Sequence, residues 1–136
     1  MIRVLIVEDH AFVRAQLKRT LSDADGIVVV GECADGSEVP GMAARLRPDV
    51  VLMDVRMPKT SGTVATMRLL AVQPESRVMM LTGSPSSRAI RDAARAGAVG
   101  FLVKGSGTAG LLDAVRTVAA GGTCWPDDAL GALAEA

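Results

Sequence analysis

Five polar or charged residues stand at the ends of short apolar runs in the sequence. Glu8 and Asp9 follow the first run, Asp54 the third, Thr82 the fourth and Lys104 the fifth. If these runs are strands of an open parallel sheet, their carboxyl ends lie along one edge, which is where such sheets bind ligands. The sequence therefore predicts one site that combines three carboxylates, a hydroxyl group and an ammonium group.

Carboxylates crowded at one strand edge raise each other's pKa unless a cation lies among them. Mg²⁺ suits this set, because it binds one or two carboxylates, keeps several waters and accepts a phosphate oxygen as a further ligand. We therefore predict that Glu8, Asp9 and Asp54 hold Mg²⁺ as the cofactor of the site.

Asp54 is a candidate nucleophile in this setting. A carboxylate can attack phosphorus and carry the phosphoryl group as an acyl phosphate, provided that positive charge neutralises the approach of two anions. Mg²⁺ and Lys104 would supply this charge, and the Thr82 hydroxyl group could donate to a phosphoryl oxygen. Because phosphoryl transfer depends mainly on positioning and electrostatics, little else is required.

The elements that must position these residues form five repeated units of strand and helix. Runs of four to seven apolar residues read as buried parallel strands, and the segments between them have helical length and period. Such alternation predicts a single α/β domain, a doubly wound (βα)5 fold with helices on both faces of the sheet. The predicted strands are Ile2–Val7, Ile27–Cys33, Val50–Met53, Val78–Leu81 and Gly100–Val103, and the helices begin near Ala11, Ser37, Ser61, Ser86 and Thr108.

Two details concern the ends of the helical segments. Pro40 falls in the first turn of the second helix if Ser37 is its N-cap, a position that tolerates the missing N–H group. Gly121 and Gly122 end the regular pattern after the fifth helix. We therefore expect the domain to occupy residues 1–122, with a turn and a short tail, or the start of a linker, in residues 123–136.

The composition argues against several classes of function. Fifteen basic side chains balance fifteen acidic ones and only 2% of residues are aromatic, so the chain lacks a basic or stacking surface for nucleic acid. Its apolar runs are too short to cross a bilayer, and we expect no membrane interaction. Cys33 and Cys124 are far apart in a chain without a signal-peptide pattern, which favours reduced thiols in the cytoplasm.

The order and spacing of these residues resemble the response-regulator receiver family of two-component signalling. The resemblance rests on VLIVEDH at 4–10, VLMDVRMP at 51–58 with Gly62, MLTG at 80–83 and GFLVK at 100–104. It covers nearly the whole chain, and it implies a flavodoxin-like sheet with the strand order 2-1-3-4-5.

The resemblance also implies a role for each matching residue. Phe101 stands where the family carries an aromatic side chain whose rotamer reports phosphorylation, coupled to the movement of Thr82. Arg56 and Ser84 flank the phosphoryl group in relatives, and Gly105 replaces a more usual Pro, Asp or Ser. The implied metal ligands are Glu8, Asp9, Asp54 and the backbone carbonyl of Arg56; Asp54 is the implied phosphoacceptor, and Thr82 and Lys104 the implied phosphoryl-binding residues.

The segment after the fifth helix looks like the junction of the NarL/LuxR-like subfamily, in which a linker leads to a helix-turn-helix domain. The implied partner is a sensor histidine kinase, and the implied output is transcription through a DNA-binding domain outside this chain. A stand-alone receiver that acts by protein–protein interaction is the alternative. We also expect homodimers through helical faces, either the first and fifth helices or the fourth helix with the fifth strand.

Other functions and plainer interpretations have some support. Phosphatases of the haloacid-dehalogenase type use similar groups, but they carry a second Asp two residues after the nucleophile, where this chain has Arg56. Residues 105–110 fit the dinucleotide-binding pattern G-x-G-x-x-G, yet no apolar strand follows the next helix.

His10, the only histidine, is expected to start the first helix at the rim of the site.

Overall fold

The fold is built on a five-stranded parallel sheet with the order β2-β1-β3-β4-β5, as predicted. The computed structural model describes residues 1–127 and 129–134. β3 and β4 are buried along their whole length, since helices cover both faces of a doubly wound sheet. The strands are β1 (Ile2–Val7), β2 (Ile27–Cys33), β3 (Val50–Asp54), β4 (Val78–Thr82) and β5 (Gly100–Val103).

Within residues 1–127 and 129–134, six α-helices follow or flank these strands, and most begin where the sequence predicts. The side chains of Ser61 and Ser86 accept hydrogen bonds from the N–H groups of Val64 and Ala89, so both serines are N-caps that satisfy otherwise unpaired donors. The helices are α1 (Ala11–Ser22), α2 (Val39–Leu46), α3 (Gly62–Val72), α4 (Ser87–Ala96), α5 (Thr108–Ala119) and α6 (Leu130–Ala134).

The start of α2 differs from the prediction. Ser37 is not the N-cap; it lies inside a 3-10 turn, Gly36–Glu38, that precedes the helix. Asp35 caps this turn by accepting from the Ser37 N–H group, while the Glu38 carboxylate accepts from the Asp35 N–H group. This reciprocal capping box starts the 3-10 turn at Gly36, and α2 itself begins after the turn, at Val39. Pro40 does lie in the first turn of α2.

The core consists of two layers, one on each face of the sheet. Successive strand residues point to opposite faces, so Leu5 and Met53 pack toward α2, α3 and α4, whereas Ile6 and Leu52 pack toward α1 and α5. All four are fully buried, and burial of such a side chain contributes about 1.5 to 3 kcal/mol. This apolar frame fixes the strand ends that carry the polar residues.

The chain returns to the sheet after α5 and covers the outer edge of β5. We call residues 123–127 and 129–134 the C-terminal strap. The Phe101 N–H group donates to the Cys124 carbonyl oxygen at 2.7 Å, and the Cys124 N–H group donates to the Val99 carbonyl oxygen at 3.1 Å. Ala129 and Ala132 are buried in the core layer that contains α4. The sequence predicted only a turn and a tail here, because a single bridging residue leaves no apolar run.

The two cysteines, the glycine-rich segment and the lengths of the helices also agree with this fold. Cys33 and Cys124 are both free thiols, and burial raises the pKa of Cys33 to about 12, so this thiol is unreactive. The glycine-rich segment 105–110 leads into α5, and Cys124 then forms one bridge where a dinucleotide-binding unit would need a further strand. Within the described ranges, none of the helices is long and apolar enough to pass through a lipid bilayer.

Candidate functional site

The predicted site residues lie at the carboxyl ends of four adjacent strands. Glu8 directly follows β1, Asp54 and Thr82 are the last residues of β3 and β4, and Lys104 directly follows β5. The Lys104 N–H group donates to the Thr82 carbonyl oxygen at 2.7 Å, which continues the pairing of β4 and β5 to the edge of the sheet. Strand pairing therefore fixes the backbone positions from which these side chains extend.

Lys104 joins the two most buried carboxylates of the site. Its ammonium nitrogen is 2.7 Å from Glu8 Oε1 and 3.3 Å from Asp54 Oδ2, although Glu8 and Lys104 are 96 residues apart in the sequence. The remaining oxygens accept backbone N–H groups, Glu8 Oε2 from Asp9 at 3.1 Å and Asp54 Oδ1 from Arg56 at 3.3 Å. Buried carboxylates need this many partners, because the loss of water around a charge is costly.

The electrostatics of the site indicate an excess of negative charge. Burial, together with the contact with Asp54, raises the pKa of Glu8 to about 7, although Lys104 acts in the opposite direction. Burial lowers the pKa of Lys104, but its contacts with Glu8 and Asp54 outweigh this effect and raise it. One ammonium group does not balance three carboxylates, so a bound divalent cation would be favourable here.

Four neighbouring side chains could bind such a cation. Donor atoms of Glu8, Asp9, His10 and Asp54 all lie within 4.8 Å of one another. Asp9 Oδ1 is buried and accepts no hydrogen bond from the described part of the chain. A buried oxygen that accepts no hydrogen bond costs free energy unless another group binds it. The ion pairs given for Lys104 are with Glu8 and Asp54 rather than with Asp9. The donor set fits a metal site.

His10 belongs to this group, although the sequence interpretation favoured a position at the start of the first helix over a metal role. It directly precedes α1, as expected, but its side chain makes no capping hydrogen bond. Its Nδ1 atom is instead 3.3 Å from Asp9 Oδ1. A histidine directly after the acidic pair was the sequence signal that could have indicated this.

Gly62 allows α3 to begin against the end of β3. A Cβ atom at position 62 would lie 2.1 Å from the Asp54 carbonyl oxygen, closer than any side chain can approach. The Gly62 N–H group donates to the Val55 carbonyl oxygen at 2.9 Å, which fixes the loop after Asp54. At the neighbouring strand, Arg14 donates to the Glu8 carbonyl oxygen at 2.8 Å.

Thr82 and Phe101, the two predicted switch residues, occupy different environments. Thr82 is buried at the site, where its hydroxyl oxygen accepts from the Ser84 N–H group at 3.1 Å. Phe101 is 1% exposed and lies in the core layer of Ile90 and Ala93 from α4, away from the polar cluster. The structure thus places one of them beside the carboxylates and the other beneath a helix.

Comparison with known proteins identifies the class. Residues 4–116 match the response regulator receiver domain, and the chain belongs to this family. Response regulator GacA of Pseudomonas viridiflava is 44% identical over 121 residues, which cover 89% of this chain and 56% of that protein. Protein CcdB of Bacillus subtilis (strain 168) is 36% identical over 118 residues, which cover 87% of this chain and 98% of that protein.

A solved structure supports the same assignment. The crystal structure of a LuxR-family two-component response regulator from Aurantimonas sp. SI85-9A1 superposes with a TM-score of 0.90 at 31% identity, covering 98% of this chain and 95% of that one. The predicted receiver family and its NarL/LuxR-type relatives are confirmed. The chain spans just over half the length of the GacA proteins that it matches.

Proposed function

We propose that Asp54 accepts a phosphoryl group from a sensor histidine kinase, with Mg²⁺ as cofactor, and that this changes the conformation of the domain. Receiver domains of response regulators are signalling switches rather than catalysts. The observation that carries the proposal is the Lys104 ammonium group, which bridges buried Glu8 and Asp54 in the same cluster as Asp9, whose Oδ1 atom accepts no hydrogen bond from the described residues. This arrangement provides a nucleophile and a fixed positive charge.

The transfer is a displacement at phosphorus. A carboxylate oxygen of Asp54 forms the new P–O bond, the P–N bond to the donor histidine breaks, and its electron pair stays on the imidazole nitrogen. Lys104, 3.3 Å from Asp54 Oδ2, neutralises the incoming phosphoryl oxygens, and the Thr82 hydroxyl group donates to one of them. Mg²⁺, held by Glu8, Asp9, Asp54 and the backbone carbonyl of Arg56, would add positive charge.

We expect the phosphorylated state to last, because none of the described residues takes the position of the carboxylate that activates water in an aspartyl-dependent phosphatase. Two residues after Asp54 stands the exposed Arg56, where an aspartyl-dependent phosphatase would need a carboxylate. Loss of the phosphoryl group then depends on water that the protein does not deprotonate. We expect slow self-phosphorylation from small donors, slow self-dephosphorylation, and hydrolysis of aryl phosphates near background.

Thr82 and Phe101 are proposed to carry the signal from the site to α4 and β5. Thr82 moves when its hydroxyl group binds the phosphoryl group, and buried Phe101 repacks beneath α4. Thr82→Ala should accept the phosphoryl group but lose the response, measured as chemical-shift changes over residues 86–108. A response equal to that of wild type would contradict this role.

The wider function follows from the relatives. The GacA proteins are longer than this chain, so we propose that residues 1–122 form the receiver and that residues 123–136 begin a linker to a DNA-binding domain that controls transcription in the cytoplasm. The match to CcdB covers 98% of that protein, which supports the alternative of a stand-alone receiver. Pairing of two copies is proposed through α1 and α5, since the strap covers the edge of β5.

Intact-mass measurement tests the central proposal. Incubation with a small acyl-phosphate donor and Mg²⁺ should add one phosphoryl group, and hydroxylamine should remove it because an acyl phosphate is a mixed anhydride. Asp54→Asn should abolish labelling, whereas Asp113→Asn, at an exposed position of α5, should label normally. A label that resists hydroxylamine, or that persists in Asp54→Asn, would place the phosphoacceptor elsewhere.

A further inference from the structure

His10 and Asp9 bring a ring nitrogen and a carboxylate oxygen close together beside the other carboxylates of the site. His10 Nδ1 is 3.3 Å from Asp9 Oδ1, yet that oxygen accepts no hydrogen bond from any described residue. Ligands in adjacent positions of an octahedral ion, each at about 2.1 Å, lie roughly 3 Å apart. The separation of these two atoms is close to that value.

The imidazole does not serve the start of α1. Histidine is not among the residues that favour the N-cap of a helix, and the His10 side chain makes no capping bond. The side chain is 68% exposed, so it stands at the solvent side of the donor group, whereas Glu8 and Asp54 are buried. A ligand there can join an ion that enters from solvent.

We propose that His10 is a nitrogen ligand of the divalent cation at this site, and that it shifts the preference of the site from Mg²⁺ toward first-row transition ions such as Mn²⁺. The inference rests on the metal site of the proposed function. It adds a ligand that carboxylates alone do not provide, and it makes His10 a residue that determines specificity.

The chemistry of the donor atoms gives the direction of the shift. Mg²⁺ is a hard ion that takes oxygen ligands and gives up its waters reluctantly, so an imidazole adds little to its binding. Imidazole suits transition ions, whose affinities for mixed nitrogen and oxygen sites rise from Mn²⁺ toward Cu²⁺. Glu8, Asp9 and Asp54 serve both kinds of ion, whereas His10 favours the second.

Mn²⁺ is a suitable probe because its unpaired electrons report a bound nitrogen. Electron spin-echo modulation of the Mn²⁺-loaded chain should show coupling to the ¹⁴N of a directly bound imidazole, and His10→Ala should abolish it. The preference for Mn²⁺ over Mg²⁺, measured as the ratio of the two dissociation constants by calorimetry, should fall about tenfold or more in His10→Ala. Phe12→Ala, at the exposed neighbouring position in α1, should keep both the coupling and the ratio.

The outcomes separate this inference from the proposed function. Absent nitrogen coupling in wild type, or an unchanged ratio in His10→Ala, would overturn the role of His10, even if Mg²⁺-dependent labelling of Asp54 proceeds. Mn²⁺ and Mg²⁺ binding that survive Asp9→Ala would overturn the metal site itself, and with it both proposals. Thermal unfolding of each variant shows whether a loss of binding reflects loss of fold.

Discussion

Two edges of the same sheet are completed in different ways. At the carboxyl edge, side chains from sequence-distant residues meet in specific polar contacts, such as the 2.7 Å contact between Lys104 and Glu8. At the outer edge of β5, backbone groups of Phe101 and Cys124 pair, and small side chains such as Ala132 fill the space beneath the strap. The first edge depends on the identity of each residue, whereas the second depends mainly on backbone and volume.

The two edges meet on β5. Lys104 follows the last residue of this strand and contacts the carboxylates, while Phe101, three residues earlier, donates its N–H group to the strap. If the edges are as different as their contacts indicate, substitutions at the polar edge should change chemistry, and substitutions under the strap should change stability alone.

The largest effect is expected for Lys104→Ala. The rate of Asp54 phosphorylation by a small donor should fall about 100-fold, as it does when one fixed donor is removed from a charge-stabilising site. Intact-mass time courses measure this rate. Lys18→Ala, which removes a more exposed ammonium group paired with Glu32 at 3.3 Å, is the matched control and should label at the wild-type rate. Equal rates in both variants would show that the charge of Lys104 is not needed.

Gly62→Ala tests the support of the polar edge. The added methyl group would overlap the Asp54 carbonyl oxygen, so the end of β3 must shift, at a cost of about 1 to 3 kcal/mol in unfolding free energy. Denaturant titration measures this cost, and labelling of Asp54 should slow as well. Gly41→Ala, in a helix with open space around it, should have the opposite sign and stabilise by about 0.4 to 1 kcal/mol.

Ala132→Arg tests the strap. A long charged side chain cannot occupy this buried position, so the strap should detach at a cost of about 1 to 3 kcal/mol. Hydrogen exchange should then lose protection at the amides of Phe101 and Cys124, while the labelling rate of Asp54 changes less than about twofold, well below the fall expected at a charge-stabilising donor. Gly131→Ala, at an exposed neighbouring position, should keep the protection. A large loss of labelling in Ala132→Arg would show that the two edges are not independent.

The smallest effect concerns Asp35, which lies two residues after the end of β2 and accepts a hydrogen bond from the Thr60 N–H group at 3.1 Å. Hydrogen bonds, chiefly from the Ser37 N–H group, lower its pKa to about 2, below the value of about 3.9 for an unfolded chain. Ionised Asp35 therefore stabilises the fold above about pH 4, and this contribution is lost as the pH falls toward 2. Asp35→Ala should cost about 1 kcal/mol at pH 7 and should flatten the pH dependence of unfolding between pH 4 and 2.

The sequence predicted the sheet and the residues at its polar edge well, and the reason is physical. Buried strands require unbroken apolar runs, so polar residues such as Asp54 and Lys104 stand out where those runs end. Helix starts at Ser61 and Ser86 were predictable because capping is local and involves residues three positions apart.

The sequence did not reveal features that depend on a choice between two suitable residues or on contacts between distant parts of the chain. Ser37 and Asp35 are both good caps, and Asp35 is favoured by its contacts with Glu38 and with Thr60, which is 25 residues away in the sequence. The strap relies on backbone pairing by Cys124, which does not depend on residue type. The sequence places His10 directly after the acidic pair, but the contact of its Nδ1 atom with Asp9 Oδ1 depends on the side-chain rotamer, which the sequence alone does not give.

The pairing of Cys124 with β5 has a consequence for how the molecule behaves among copies of itself. The last strand of an open sheet presents unpaired donors and acceptors that can recruit a strand from another chain. Here the Phe101 N–H group and the Val99 carbonyl oxygen are already taken within the molecule. A foreign strand must first displace the strap, so the edge of β5 is protected against sheet-to-sheet aggregation at high concentration.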